Sequence, residues 1–491
     1  MITYDFSQRD GLPKYEYLFQ CIREDIRTGA LKPGTRLPSK KMLAKHLSIS
    51  VSTVEGAYDL LVSGGYAESR PGSGFYISKR AGDYAAGGAL QREPALRKPL
   101  DRPQAAPIEQ VSPPAGLGTE PSAPGIDMHA NSCSLELFPT DVWARIMRRV
   151  LSDKNPELFE TVPFNGLPKL RRAIAQNLYE FKGMQVDPDC IVVGAGTEYL
   201  YTKVLQLLGA STVIGIGDIG FKKLTDIFMA SGTLWAHVPV DSQGIDIDAL
   251  AASAANVAHV SPANHFPIGA VMSAERRAQL LSWLAERGYR YIVEDDYDSE
   301  LRFSGRTLPP LFTQDPTGRV IYLNTFSKTL VPSLRISYMV LPDALMDIYR
   351  QQLSFYSCTV SSFEQSALAE FIERGYLERH INRLRRFYDK QRERITEAIR
   401  TSGLAKIAHL REVNVGTHML VHIDTRLPDT QVKAAARRAG MHLNVLADYC
   451  ILPTADTAHT LVINFASVAP EQIGTAMRIL EDIFADDIAR A

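Results

Sequence analysis

Val320-Ile321-Tyr322-Leu323-Asn324-Thr325-Phe326-Ser327-Lys328-Thr329-Leu330-Val331-Pro332-Ser333-Leu334-Arg335-Ile336-Ser337-Tyr338 is the stretch on which the fold turns. Its first four residues form a continuous apolar run, the pattern of a strand buried on both faces. A lone lysine is usually a solvated charge. Lys328, however, follows the buried strand closely, among the hydroxyls of Thr325, Ser327 and Thr329, with Arg335 seven residues on. That arrangement suits a lysine forming a Schiff base with an aldehyde cofactor and an arginine taking the cofactor's phosphate.

Reading outward, four more apolar runs precede it, at 191–193, 212–214, 257–260 and 291–293, with helical periodicity between them at 169–178 and 274–284. Buried strands alternating with helices predict an α/β architecture around a mostly parallel sheet. The run at 291–293 leads into Glu294-Asp295-Asp296-Tyr297-Asp298-Ser299-Glu300. So many acids at the end of a buried strand are costly without a cationic partner, and a protonated pyridine nitrogen is such a partner. Asp295 is assigned to that nitrogen, keeping the ring an electron sink, and Tyr297 to the ring's phenolic oxygen. A hydrated acidic loop is the plainer alternative for this segment taken alone. Gly194-Ala195-Gly196-Thr197 reads as a glycine-rich turn from the first strand into a helix, where backbone amides bind phosphate. From about residue 385 a long amphipathic helix precedes strand patterns at 419–423 and 461–465. These predict a smaller C-terminal α+β subdomain within a domain of residues 126–491.

Residues 81–125 break the pattern. Pro94, Pro99, Pro103, Pro107, Pro113, Pro114, Pro121 and Pro124 fall among Ala, Gly and charges with no apolar period, the composition of a flexible linker. Before it, Leu18, Cys21, Ile22 and Ile26 mark one face of a helix. Ser39 can cap a second helix carrying Leu43, Ala44 and Leu47, and Ser50 a third carrying Val54, Ala57, Tyr58 and Leu61. Two short runs around Pro71-Gly72-Ser73-Gly74 then read as strand, turn, strand. Residues 1–80 are therefore predicted to form a winged helix-turn-helix.

Bulk properties narrow the class. Among 491 residues no apolar run is long enough to span a bilayer, and the first residues lack a signal-peptide pattern. Five scattered cysteines, none in a CxxC pair, suggest neither a disulfide framework nor a metal site, so reducing cytosol is the expected compartment. The net charge of −1 hides an asymmetry: residues 1–80 carry 12 Lys+Arg against 8 Asp+Glu, and residues 126–491 carry 38 against 42. The N-terminal segment is the one suited to a polyanion.

Gly29, Leu31, Pro33, Gly34, Leu37, Pro38, Ser39, Leu43, Ala44, Leu47, Ile49, Ser50, Thr53, Val54, Ala57 and Tyr58 resemble the signature of the GntR family of winged-helix regulators. The resemblance implies that the third helix enters the major groove of operator DNA with Ser50, Ser52, Thr53 and Glu55 at base edges. Lys40 and Lys41 stand at the start of the second helix, and Arg70 and Ser73 on the wing would reach the backbone or the minor groove. The family often has Arg where this chain has Val51 and Lys41. An arginine fork reads guanine bidentately, so its loss leaves base choice to Ser/Thr contacts, to Val51 against thymine methyls, or to DNA shape.

The lysine, acidic and glycine-rich segments together resemble fold-type-I aminotransferases, which carry pyridoxal 5'-phosphate (PLP). With Leu137-Phe138-Pro139, Trp143, residues 166–171 and His265-Phe266-Pro267-Ile268-Gly269, the wider set resembles the MocR (GabR-like) subfamily of GntR regulators. The implied fold class is multidomain: a winged helix-turn-helix joined to an α/β aminotransferase-like domain. By the resemblance Lys328 carries PLP as a Schiff base, Asp295 pairs its ring nitrogen and Tyr297 its phenolic oxygen. Ala195, Gly196, Thr197, Thr325 and Arg335 lie around its phosphate, Phe221 stacks on its ring, and His265 sits near the ring's oxygen side. The subfamily's acidic-x-Pro-x-Tyr run is here Gly217-Asp218-Ile219-Gly220-Phe221. Such aminotransferases commonly hold a substrate carboxylate with an arginine on a late strand, and Leu461-Val462-Ile463-Asn464-Phe465-Ala466 has none. The expected function is a transcription regulator that senses a small amine or amino-acid-like effector through Schiff-base exchange at Lys328, as a head-to-tail homodimer. The alternatives are an active aminotransferase carrying a DNA-binding domain, with turnover as the discriminator, and a regulator sensing PLP itself.

Overall fold

The computed structural model describes residues 2–6, 12–63, 66–70, 73–78, 125–128, 137–153, 155–303, 309–411 and 415–491. The linker expected at 81–125 lies, but for Gly125, outside the described residues, as do Pro71, Gly72 and Cys133. The chain divides into two units, residues 1–118 and 119–491.

In the first unit, α1 (Lys14–Arg27), α2 (Lys40–His46) and α3 (Val51–Ser63) precede an antiparallel pair, β1 (Ala67–Arg70) and β2 (Gly74–Ile77). The apolar spacing read from the sequence is the packing that forms. Leu18, Ile22, Leu43, Val54, Ala57, Tyr58 and Leu61 are wholly buried in one core, each large aliphatic contributing roughly 1.5–3 kcal/mol. Both caps form: Ser39 Oγ accepts from the Met42 amide at 3.3 Å and Ser50 Oγ from the Thr53 amide at 3.1 Å. The chain around Arg36 also bridges to Tyr76, adding a third, short edge to the wing.

The second unit opens with the short strand β3 (Ile126–Asp127) and is built on β4 (Ile191–Gly194), β5 (Val213–Gly217), β6 (Leu234–Val238), β7 (Val257–Val260), β8 (Tyr291–Asp295), β9 (Val320–Thr325) and β10 (Ser337–Val340). Their order in the sheet is β4-β10-β9-β8-β7-β5-β6. All neighbours run parallel except β10, which is antiparallel to both β9 and β4. Apart from the edge strand β6, the strands are buried on both faces because helices cover them, among them α4 (Pro168–Lys182) and α5 (Thr197–Leu208). The inverted β10 matters. Its register sets Ser337 opposite both Thr325 and Gly194, so the turn before it, with Arg335, arrives at the edge where the parallel strands end.

A smaller layer carries an antiparallel sheet whose inner strands are β11 (His418–Ile423) and β12 (Thr460–Asn464). The boundary expected near residue 385 falls inside a continuous helix, α6 (Tyr376–Thr401), which runs from one core into the other. Leu377 at its start lies in the large layer's core, while Leu384, Tyr388, Ile395 and Ile399 lie in the small layer's. The small layer is not purely C-terminal either: Ile126 and Met128 join its core, and Ile126 pairs with Met441.

Candidate functional site

In the first unit the hydroxyls of Ser50, Ser52 and Thr53 cluster at the start of α3, with Ser50 Oγ 2.9 Å from Ser52 Oγ and 2.7 Å from Thr53 Oγ1. They are not buried, and such a cluster of donors and acceptors can meet base edges. Lys40 and Glu55 pair with each other at 2.7 Å, with the Lys40 ammonium 5.2 Å from the centre of the Phe75 ring. Lys41 is exposed beside them. On the wing the Arg70 guanidinium stands 4.5 Å over the Tyr76 ring, and Ser73 Oγ lies 2.8 Å from the Tyr76 hydroxyl. Arg36, absent from the sequence-derived set, stands 6.0 Å from the same ring. Only the pairing of its segment with β2 reveals it.

In the second unit the carboxyl ends of β4, β5, β8 and β9 converge on one edge, the place where parallel α/β sheets hold ligands. A cleft of about 330 Å³ opens there, lined by Lys328, Asp295, Tyr297, Thr197, Thr325, Phe221 and Arg335. That volume falls within the range of small-molecule sites, about 300–1,000 Å³. A larger depression of about 490 Å³, with Arg149, Glu157, Lys169 and Glu370 on its wall, holds none of the candidate residues. Chemistry rather than size singles out the smaller cleft.

The acidic segment can be accounted for residue by residue. Glu294 accepts from the amides of Leu311 and Phe312 at 2.9 and 3.0 Å. Burial pushes its carboxyl up to about 7. Asp296 and Glu300 share the Lys182 ammonium at 2.5 and 2.8 Å, and Tyr322 donates to Asp296 at 2.7 Å. Burial opposes charge on Asp296, yet the Lys182 ammonium holds its carboxyl below the usual range. Asp298 accepts from Asn264 Nδ2 at 2.8 Å. Burial pushes it up to about 8, against the pull of the Lys328 ammonium. Asp295 remains. Its Oδ2 accepts from Tyr201 at 2.8 Å, and Tyr201 in turn lies 2.7 Å from His259 Nε2. Its Oδ1 is buried with no hydrogen-bond partner.

Around these, Tyr297 donates to the Asn264 carbonyl at 3.0 Å, and Thr325 Oγ1 accepts from Ser337 Oγ at 2.8 Å and from the Ser327 amide at 3.1 Å. Arg335 takes a left-handed backbone (φ 51°) and donates to Glu198, which also accepts from Lys223. Gly196 at the start of α5 has φ +94°, and a Cβ there would fall 2.1 Å from Arg335 Nη2, so only glycine fits. The Ala195 amide is engaged with Thr359 Oγ1 at 2.9 Å. The Phe221 ring stacks on Phe266 at 4.1 Å and meets Tyr297 edge-on at 5.9 Å. His265 is not on the cleft wall. Its Nε2 donates to the Ile219 carbonyl at 2.8 Å, and burial pulls its pKa down to about 4, so the ring is neutral. Asn264 is the neighbour that meets Tyr297, and its Oδ1 is buried and unpartnered. Val462 on the late strand is buried in an apolar cluster with Ile268, Ala270, Leu420 and Leu446.

A lysine, an acid with an unfilled acceptor, a phenol, and a helix start beside an arginine can hold a flat phosphorylated heterocycle. Among the described residues no group of His, Cys, Asp or Glu is placed to hold a metal ion, and no helix is long and apolar enough to cross a membrane.

Comparison with known proteins agrees with this division. Residues 123–476 match the family model "Aminotransferase class I and II", and residues 14–77 match "Bacterial regulatory proteins, gntR family". The HTH-type transcriptional regulator YdeL of Bacillus subtilis is 34% identical over 482 residues, 98% of each chain. The probable rhizopine catabolism regulatory protein MocR of Rhizobium meliloti is 30% identical over 483 residues, 96% of this chain and 94% of its own. Among solved structures an archaeal alanine:glyoxylate aminotransferase superposes with a TM-score of 0.64 at 23% identity, over 74% of this chain and 91% of that one, which shows the fold alone. The chain therefore belongs to the MocR-type branch of the GntR-family transcription regulators, a DNA-binding helix-turn-helix joined to an aminotransferase-like domain that binds PLP.

Proposed function

We propose that the cleft at the sheet edge is the sensor of this regulator, with PLP held on Lys328 and an amino compound as the signal. The observation that carries the reading is the buried, unfilled Oδ1 of Asp295 in the same cleft as Lys328. Leaving such an atom unsatisfied costs about 1–3 kcal/mol, more for a charged group, and a pyridinium N–H satisfies it. Bound there, PLP supplies an aldehyde carbon that passes from lysine to an incoming amine, and a ring that withdraws electrons. Tyr297, whose hydroxyl now donates to the Asn264 carbonyl, would turn that proton to the ring's phenolic oxygen, and Phe221 would cover one ring face. Arg335, Thr325 and the Thr197 amide would take the phosphate, with Gly196, whose own amide donates to the Gly194 carbonyl at 2.9 Å, leaving room for its approach. Asp298, which feels the Lys328 charge, gives the freed lysine an acid to pair with. The resulting shift in the cleft biases the DNA-binding unit, a coupling between two sites. The protein acts in the cytosol as a homodimer, which sets two helix-turn-helix units on a two-fold operator.

The effector is an amine without a carboxylate beside its amino carbon. Val462 sits in an apolar cluster, and Asp298 and the buried His418, whose pKa burial lowers to about 4, are among the groups that feel the Lys328 charge. The test is a spectral titration of the PLP form against amines, amino alcohols, aminosulfonates and α-amino acids, read alongside operator binding. Alanine and glutamate are expected to leave both the spectrum and DNA binding unchanged. Their rapid conversion to keto acids would overturn the reading in favour of an enzyme.

On the DNA side, binding is expected to weaken steeply between low and physiological salt. Lys41→Ala should weaken all sequences about equally and lower the salt slope by about one. Thr53→Ala should change sequence preference instead, by about 1–3 kcal/mol at the affected position. Binding isotherms on operator and random duplexes at several salt concentrations separate the two.

A further inference from the structure

We propose that Glu198 competes with the cofactor's phosphate for Arg335 and so keeps PLP exchangeable. The inference rests on the reading of the cleft as a PLP site.

Three charged side chains from separate segments meet at the phosphate end of the cleft. Glu198 is the second residue of α5, Lys223 belongs to the helix after Phe221, and Arg335 comes from the turn before β10. Glu198 accepts from both cations with different oxygens, Oε2 from Arg335 and Oε1 from Lys223. The guanidinium is pressed against Gly196, since a Cβ there would lie 2.1 Å from Arg335 Nη2 and 2.9 Å from Glu198 Oε2. The helix start and the arginine that would receive a phosphate therefore already hold a carboxylate. Burial pushes this carboxyl up, but hydrogen bonds from Lys223, its own amide and Arg335 hold it at about 2. It is charged at every pH the protein meets.

A phosphate arriving at this corner must take Arg335 from Glu198 or lie beside it. Either course sets a dianion next to a fixed negative charge, and like charges at such separations repel appreciably even in a partly wet site. Lys223 is 69% exposed and bound to the other carboxylate oxygen. It can keep Glu198 when Arg335 turns to the phosphate, so the exchange leaves no buried charge unpaired.

The experiment uses the full-length chain stripped of PLP and titrated with PLP, followed by visible absorption and by tryptophan fluorescence. Glu198→Gln is expected to tighten the PLP dissociation constant by about tenfold. Binding of pyridoxal, which lacks the phosphate, should not change. Lys223→Ala, which leaves the carboxylate to Arg335 alone, should weaken PLP binding several-fold and again spare pyridoxal. Inorganic phosphate should compete better against PLP in Glu198→Gln than in the parent protein. Weaker or unchanged PLP binding in Glu198→Gln would overturn the proposal and make Glu198 a support for Arg335. If Glu198→Gln does not fold, Lys223→Ala decides alone, and tighter or unchanged binding there overturns it. Absence of a lysine-bound cofactor band in the parent protein would instead mean that the reading of the cleft fails.

Discussion

Lys328→Ala protein is expected to lose the visible absorption of the lysine-bound cofactor entirely, and borohydride reduction should fix no PLP on any peptide. The expectation is all-or-none because the covalent bond has one donor. Among the described residues no other lysine on the cleft wall follows a strand end: Lys223 is bound to Glu198 at the phosphate side. The non-covalent contacts would remain, so the variant should still bind PLP weakly, with its dissociation constant raised by orders of magnitude. Asp295→Ala gives the contrasting result: trapping at Lys328 persists, but PLP washes out on dialysis because the ring nitrogen has lost its counter-charge. A parent-like band in Lys328→Ala, or trapping mapped to a different lysine, would sink the assignment.

Lys182→Met is expected to produce the largest loss of stability, about 3–5 kcal/mol, because it strands two buried carboxylates. Lys182 reaches Asp296 and Glu300 together, and its side chain and that of Asp296 are each only 6% exposed. Burial alone would lower the lysine's pKa, but the two carboxylates raise it above its ordinary value. The pH dependence follows from these directions. The raised lysine stabilises the fold at all pH below its unfolded value of about 10.4, and the lowered Asp296 does so above its unfolded value of about 3.9. The parent cluster therefore holds across the neutral range and is lost as pH falls through the depressed Asp296 value. In Lys182→Met the stranded acids take up protons, so the deficit should be full at pH 7–8 and shrink toward pH 4. Urea unfolding at both pH values measures it. Adding Asp296→Asn and Glu300→Gln should restore part of the loss, since neutral amides need no cation. A deficit independent of pH would show that Lys182 acts by packing alone.

What the sequence made legible is what local pattern encodes. Ser39 and Ser50 cap their helices because a cap needs only the next three residues. The strands at 191–194, 291–295 and 320–325 are readable because burial on both faces writes apolar runs at 191–193, 291–293 and 320–323. Lys328, Asp295, Tyr297 and Thr197 follow strand ends, so their convergence was readable from the same pattern. Partners set by tertiary contact were not. Tyr201 and Asp295 are 94 residues apart, Lys182 and Asp296 are 114, and Arg335 and Glu198 are 137. Nothing in the spacing of any of these pairs marks it. The acids at 294–300 looked like one site and proved to be several, because a cation from α4 neutralises two of them from outside the segment. His265 shows the converse: it lies in the matching run, yet its ring turns to the Ile219 carbonyl.

The helix α6 has a mechanical consequence. At 26 residues it is a rod of about 39 Å, anchored at its first turn in the core beneath the cleft and from Leu384 to Ile399 in the core of the small layer. Each degree of tilt about the Leu377 end carries the other end through roughly 0.7 Å. Close-packed cores do not stretch to absorb such displacements. Any closure of the small layer would therefore have to pivot the whole rod or repack its anchorage. A tilt of a few degrees about the Leu377 end would thus carry the rim of the small layer through a few ångströms, far from Lys328.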